Sequence, residues 1–366
     1  MSKIAILSMQ GVYNFGSLLQ AYGLKKAVET VIPSAEVKYL PIEPNPDDNS
    51  VAVTVKHREA DKTSVYHIDK YFIHRFLNKM NNKKQNAKFA EFQRENFRDA
   101  ADGERVDVCI IGSDEVFNAC NPEKWGFTTQ LYGNVKNAEK VITYAASCGF
   151  TSADMLSDSM KERISSAFGN VSAFSVRDAN TKDFVECLSG KTPESHLDPV
   201  LISDFSEEIA QASRRVNLPE NTCIVYSYHN RIHDEDEIAA VKSFAKAHKL
   251  KLKVIGASQK WCSDMPILDP FETLAAFSKA RFIITDTFHG TIFAAKYNGR
   301  FATVLKQSNR NKLADLVKKI GVENHVIASY SDLEKAFAES SSVESVAEIL
   351  KKERQRTLAY LEKNLT

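Results

Sequence analysis

Four short segments combine residue types able to handle an anion or a proton. The richest is Asp286-Thr287-Phe288-His289-Gly290-Thr291, which follows the apolar run Phe282–Thr285 and begins a helical pattern. An imidazole at such a strand-to-helix switch can transfer protons near neutral pH or contact an anion. The Thr287 and Thr291 hydroxyls and the small Gly290 offer further ligand contacts, and His289 is the leading candidate for acid–base work. In Ser175-Val176-Arg177-Asp178, an arginine just past a buried strand presents a planar fork for carboxylate or phosphate, with an internal Arg177–Asp178 network as the competing reading. Gly112-Ser113-Asp114-Glu115-Val116-Phe117-Asn118 places Ser113, Asp114 and Asn118 at the exit of the apolar run Val106–Ile111, as a ligand shelf or equally as a helix cap. Asn14-Phe15-Gly16-Ser17 opens the first helical stretch. Gly16 permits close backbone approach, and the amides there suit an anion or a sugar hydroxyl, but on spacing alone an N-cap and turn is the better reading. The segment is neither G-x-G-x-x-G nor a P-loop, so nucleotide binding has no support.

The elements around these segments read as parallel strands joined by crossover helices. Strands are predicted at Ile4–Ser8, Val106–Ile111, Val141–Ala145, Ala173–Val176, Cys223–Ser227, Leu252–Ile255, Phe282–Thr285 and Ala302–Leu305. Helical spacing covers Gly16–Thr30, Ser159–Phe168, Asp234–His248, Phe271–Lys279, Thr291–Tyr297 and the charged stretch Ser342–Leu365. In open α/β sheets ligands sit at the carboxyl ends of the strands, where all four segments fall. The fold class is α/β, with a Rossmann-like domain over 1–198, a second over 199–340 and a carboxyl-terminal helix over 341–366 that returns to the first domain by analogy with other two-lobed transferases. Leu197-Asp198-Pro199 marks the division, because proline follows a strand end and the apolar pattern restarts after Pro219.

The segment 44–102 stands apart as a basic helical excursion. Aromatics recur at Phe72, Phe76, Phe89, Phe92 and Phe97, as one face packed on the body would require. Its histidines, His57, His67 and His74, are spaced by no usual metal-ligand pattern, and no metal is expected. The alternative reading makes the excursion a lid whose cations attract an anionic substrate.

A chain of 366 residues is long enough for two domains, and its 43% hydrophobic and 26% charged residues are ordinary globular composition. A formal net charge of +1 gives no pull toward nucleic acid or an anionic membrane, so no nucleic-acid partner is expected. Six cysteines at 109, 120, 148, 187, 223 and 262 form no C-x-x-C pair and suit a reducing compartment. The amino terminus lacks a signal-peptide apolar run, and no stretch approaches the ~20 apolar residues that span a bilayer. A cytoplasmic location is the expectation.

Taken together, Asn14-x-Gly16-x-x-Leu19-Gln20-x-Tyr22, Gly112-Ser113-Asp114, Tyr144-Ala145-Ala146-Ser147, Ser175-Val176-Arg177-Asp178, Leu197-Asp198-Pro199 and Asp286-Thr287-Phe288-His289-Gly290 resemble the polysaccharide pyruvyl transferase family over roughly residues 3–305. The resemblance implies a glycosyltransferase-B-like fold of two Rossmann-like halves. It also implies transfer of a pyruvyl group from phosphoenolpyruvate to a sugar or lipid-linked glycan, closing a cyclic ketal in exopolysaccharide or cell-envelope biosynthesis. It makes His289 and Arg177 catalytic. Asn14, Gly16, Ser17, Ser113, Asp114, Asn118, Ser147, Thr287, Gly290, Thr291 and Arg310 become substrate contacts. No cofactor beyond the phosphoenolpyruvate donor is implied, and any membrane association is peripheral, through the acceptor. Oligomeric state is not implied. Two departures stand out: Glu115 and Phe117 occupy positions where glutamine and tryptophan are expected, and Asn309-Arg310 replaces Ser-Arg. Glu115 adds negative charge near an anionic donor. A nucleotide-sugar glycosyltransferase, or a catalytically impaired glycan-binding or assembly protein, are the alternative readings.

Overall fold

The computed structural model of the chain describes residues 2–43, 72–120, 126–229, 231–306 and 310–366. His57, His67 and the 44–71 part of the excursion lie outside the described residues, as does the side chain of Arg310. In chain order the elements are β1 (Lys3–Leu7), α1 (Phe15–Val31), β2 (Glu36–Tyr39), α2 (Phe72–Asn96), β3 (Val106–Ile111), β4 (Ala138–Thr143), α3 (Asp158–Phe168), β5 (Val171–Ala173), β6 (Ser175–Val176), α4 (Ala179–Ser189), β7 (Glu194–Ser195), α5 (Pro199–Ile202) and α6 (Ser206–Ser213). They continue with β8 (Thr222–Tyr226), α7 (Glu235–Ala247), β9 (Lys251–Ile255), α8 (Pro270–Lys279), β10 (Phe282–Thr285), α9 (Phe288–Tyr297), β11 (Phe301–Val304), α10 (Arg310–Lys319), β12 (Val326–Ile327), α11 (Leu333–Phe337) and α12 (Val343–Leu365).

Two five-stranded parallel sheets result. The first runs β2-β1-β3-β4-β5 and the second β12-β11-β10-β8-β9. Renumbered within itself, the second has the order of the first: the opening strand sits between its successor and the third strand. Each sheet therefore reverses its winding beside its first strand, between β1 and β3 in one and between β8 and β10 in the other. Such switch points open a crevice at the carboxyl ends of the strands. The strands are apolar runs because parallel sheets are covered on both faces, and every residue of β8, β10 and β11 is buried.

The predicted strands agree with the structure to within a few residues, except that Ala173–Val176 divides. Its first part ends β5, and Ser175–Val176 becomes β6, which pairs with β7 instead. The short edge strands β2, β7 and β12 lack enough apolar residues to announce themselves in the sequence.

One core joins the two sheets. Leu18 and Leu24 of α1, Val200 of α5, Leu274 of α8, Ile292 and Phe293 of α9 and Leu361 of α12 are all fully buried within it. Helix α12 packs on α1, α5 and α9. The Tyr360 hydroxyl donates to the Thr143 carbonyl at 2.8 Å, and Thr357 shares a 2.9 Å hydrogen bond with Tyr144. Helix α2 straps the halves together from the other side. Phe89 and Phe92 pack against Phe15 and Tyr22 of α1, while Phe76 is exposed, so the aromatic face is that of the second half of the helix. Its amide side chains reach the loop after β9: Asn78 donates to the Gln259 carbonyl, Asn82 to the Ser258 hydroxyl and Gln85 to the Leu268 carbonyl.

Candidate functional site

The crevices of the two sheets face one another, and the side chains between them centre on Asp198. This residue caps α5, accepting the Val200 amide on Oδ1 at 3.0 Å. Its Oδ2 takes the Arg177 guanidinium at 2.8 Å, lies 3.4 Å from the Ser113 hydroxyl and faces His289 Nε2 at 3.5 Å. At that distance the imidazole contact is an electrostatic one, and Nε2 has no hydrogen-bond partner. Burial alone would raise the Asp198 carboxyl, but His289, Arg177 and the Val200 amide outweigh it and hold the group down at about 2.

Arg177 follows β6 and is buried with its carboxylates around it. Asp114 Oδ1 lies 3.8 Å from its second terminal nitrogen, its carbon stands 4.2 Å from the centre of the Phe288 ring, and its Nε is buried without a partner. The competing reading, an Arg177–Asp178 network, gives way to this one. Asp178 caps α4 instead, accepting the Thr181 amide and the Ser147 hydroxyl. The Arg177 carbonyl is anchored by Lys319 of α10 at 2.8 Å, so the second half of the chain also positions this residue.

His289 sits in the first turn of α9, 8% exposed, with Thr287 as the N-cap that accepts the Gly290 amide. Its ring lies on α1: a Cβ added at Gly16 would overlap the imidazole, which explains a glycine in a helix's first turn. Asn14 is the N-cap of α1, accepting the Gly16 amide at 2.8 Å, as the spacing suggested. Ser17 donates to Asp114 Oδ2 at 2.8 Å. Asp114 adopts φ 75°, which aspartate tolerates, and among the described residues no α-helix lies between β3 and β4, so Ser113 and Asp114 cap none.

Gly16, Ser17, Ser113, Asp114, Arg177 and His289 are thus assembled around Asp198. The remaining sequence candidates support them from behind. Ser147 binds Asp178, the Thr291 hydroxyl bonds the Thr287 carbonyl and Thr303, and Gly290 leaves room for the Thr285 hydroxyl. Asn118 bridges Glu115 and Thr151, at 2.8 and 2.7 Å.

Sequence reasoning missed two participants. Asp198 was visible in Leu197-Asp198-Pro199 but read only as a boundary. Lys312, in the first turn of α10, meets Glu115 Oε1 at 2.8 Å across the crevice. Its partner lies almost two hundred positions away, and no local pattern signals the pair. Burial would raise the Glu115 carboxyl, but Lys312 and Asn118 carry it below the usual range, so the pair is charged at neutral pH.

An open cavity of about 510 Å³ lies beside this cluster and does not contain it. It is lined by Ser8, Met9, Gln10, Pro41, Gln93 and Phe97 among others, at the carboxyl ends of β1 and β2. Ser8 connects the two places, since its hydroxyl donates to the Ser113 carbonyl at 3.1 Å. Asp198 and Arg177, both buried, belong to the cluster and not to the cavity lining. Among the described residues no helix is long and apolar enough to cross a membrane.

Solved structures with this architecture span the whole chain at very low identity. Arabidopsis thaliana UGT89C1 complexed with UDP aligns over 100% of both chains at 9% identity with a TM-score of 0.51. UDP-GlcNAc 2-epimerase from Methanocaldococcus jannaschii aligns over 98% of this chain and 100% of its own at 10% identity, also with a TM-score of 0.51. These likenesses establish the glycosyltransferase-B-like α/β fold and nothing about substrate. No curated protein matches the chain by sequence. A family profile does: polysaccharide pyruvyl transferase matches residues 14–305, from the N-cap of α1 to just past β11. The four strand-end segments, the Asp198 charge cluster and strands β8 to β11 of the second sheet all lie within that match, and the chain belongs to the polysaccharide pyruvyl transferase family.

Proposed function

We propose that the protein transfers the pyruvyl group of phosphoenolpyruvate to a sugar or lipid-linked glycan, forming a cyclic ketal, with His289 and Arg177 as the catalytic pair. The observation that carries this reading is the convergence of a buried imidazole and a buried guanidinium on one carboxylate at the seam of two sheets. The reading takes 1–198 and 199–340 as two lobes that together enclose the substrate. Phosphoenolpyruvate is an enol ether carrying a carboxylate and a phosphate. Arg177, one of whose nitrogens has no partner, holds the carboxylate, and Asp198 keeps the guanidinium in place.

His289 protonates the methylene carbon, which makes the neighbouring carbon electrophilic. One acceptor hydroxyl adds there and loses its proton. Phosphate then departs, and a second hydroxyl closes the ketal with loss of its own proton. Ser17, Ser113 and Asp114, grouped with His289 about Asp198, orient the hydroxyls. Asp198, fixed in place by Arg177 and the Val200 amide, faces His289 Nε2 at 3.5 Å and orients the imidazole. The acceptor approaches through the neighbouring cavity, whose mixture of apolar walls and amide groups suits a saccharide. The work belongs to exopolysaccharide or cell-envelope biosynthesis on the cytoplasmic side, with the membrane reached only through a lipid-linked acceptor.

Calorimetric titration with phosphoenolpyruvate and with a panel of nucleotide sugars tests the reading. Saturable phosphoenolpyruvate binding that Arg177→Met removes supports it. Binding of a nucleotide sugar with none of phosphoenolpyruvate moves the protein to the glycosyltransferase class, and binding of glycans alone to the glycan-binding class.

A further inference from the structure

Among the described residues, two cations of the crevice, Arg177 and Lys312, are already matched. Arg177 has Asp198 and Asp114, and Lys312 has Glu115. Against these two positive charges stand three carboxylates, a balance that repels an anion unless a carboxylate moves. The three differ in their freedom. Asp198 is fully buried, caps α5 and holds Arg177 at 2.8 Å. Asp114 is tied to Ser17 and to the Glu115 amide, on a short side chain. Glu115 is longer, stands on the loop after β3, and is held by Lys312 and by Asn118 alone. The Glu115 and Lys312 side chains are 25% and 18% exposed, so a solute can reach them. Gly149, at φ 60°, passes so close that any side chain there would strike the Glu115 carboxylate, which gives that carboxylate a shaped seat. Arg177 and Tyr228 complete the ring of titratable groups that face the pair.

We infer that Lys312 is a seat for the phosphate of an incoming donor, and that Glu115 occupies this seat as an internal counter-ion which the donor must displace. A carboxylate and a phosphate compete for the charge of the same ammonium, because bringing both against it sets two anions side by side. Glu115 lowers the affinity for anions and at the same time links the halves of the empty protein. Once a phosphate takes Lys312, the link between the halves runs through the ligand. The inference uses the donor proposed above only to name the anion as phosphoenolpyruvate.

Isothermal titration with inorganic phosphate and with phosphoenolpyruvate, on the full chain at low salt, decides the matter. Glu115→Gln retains the bond to Asn118 and the volume of the side chain while removing the competing charge. It is expected to bind phosphate at least tenfold more tightly than the parent, with a steeper loss of affinity as salt is added. The double variant Glu115→Gln/Lys312→Met should lose that gain, and a melting curve confirms that it folds. Equal or weaker phosphate binding by Glu115→Gln overturns the inference, as does a gain that survives in the double variant. If phosphate responds as expected while phosphoenolpyruvate binds neither protein, the counter-ion role stands and the donor proposed above fails.

Discussion

The two sheets are wound alike, yet they bring opposite chemistry to their switch points. After β1, β3 and β6 the first half supplies hydroxyls, carboxylates and Arg177; after β10 and β11 the second supplies an imidazole and an ammonium. Neither set is complete. His289 finds its carboxylate on Asp198, Lys312 finds Glu115, and Lys319 anchors the Arg177 backbone. Equal topology therefore fixes where groups stand, and the loops decide what they do. A buried charge whose partner lies in the other half makes the site a product of the interface, so changes there should damage stability and activity together.

The sharpest break is expected from Arg177→Met. It leaves Asp198 and Asp114 buried without their cation, at a cost of about 3–5 kcal/mol, and it removes the carboxylate clamp. Chemical denaturation should show that loss, and turnover should vanish. Retention of both would mean that Asp198 is satisfied without Arg177. Gly16→Ala is expected to cost about a hundredfold in turnover, since the added methyl must push the His289 ring aside. The melting temperature should fall only modestly, because the obstacle is a side chain and not backbone. An unchanged rate would show that the imidazole has room to spare.

The seam also has a pH signature. Asp198 titrates at about 2 in the folded chain against an ordinary 3.8, so its contribution is fully present above about pH 4 and is lost as pH falls toward 2. That loss amounts to roughly 2 kcal/mol, and Asp198→Asn should flatten the acid limb of the stability curve by this amount. Identical limbs would place the depression elsewhere. The smallest effect concerns the strap. Gln85→Ala removes bonds to the backbone of Leu268 and should lower stability by about 1 kcal/mol without touching turnover. A larger fall in turnover than in stability would draw α2 into the reaction.

Most of the site was legible because strand ends in parallel sheets are marked by abrupt changes from apolar to small polar residues, as at Ile111-Gly112-Ser113 and Thr285-Asp286-Thr287. Asn14 as an N-cap was legible for the same local reason. What escaped depends on contacts distant in sequence. Nothing near Lys312 says that it meets Glu115, and nothing near Asp198 says that Arg177 prefers it to the adjacent Asp178. The strand Ala173–Val176 divided because its last two residues pair with Glu194–Ser195 of β7, a partner that their own apolar pattern does not name. The excursion was legible as a helix with an aromatic face, but its amide bonds to the second half carry no sequence signal at all.

The central claim is that the imidazole at the seam moves the proton. Acceptor-dependent release of phosphate from phosphoenolpyruvate, measured for His289→Ala and His289→Gln beside the parent, tests it most directly. His289 is buried beside Phe288, Phe293 and Gly16, so a melting curve accompanies each variant to show that it folds. The account predicts a fall of about a thousandfold or more in the alanine variant, with phosphoenolpyruvate still bound. It predicts little recovery in the glutamine variant, which hydrogen-bonds but carries no proton to the methylene carbon. Full activity of His289→Ala would contradict the account.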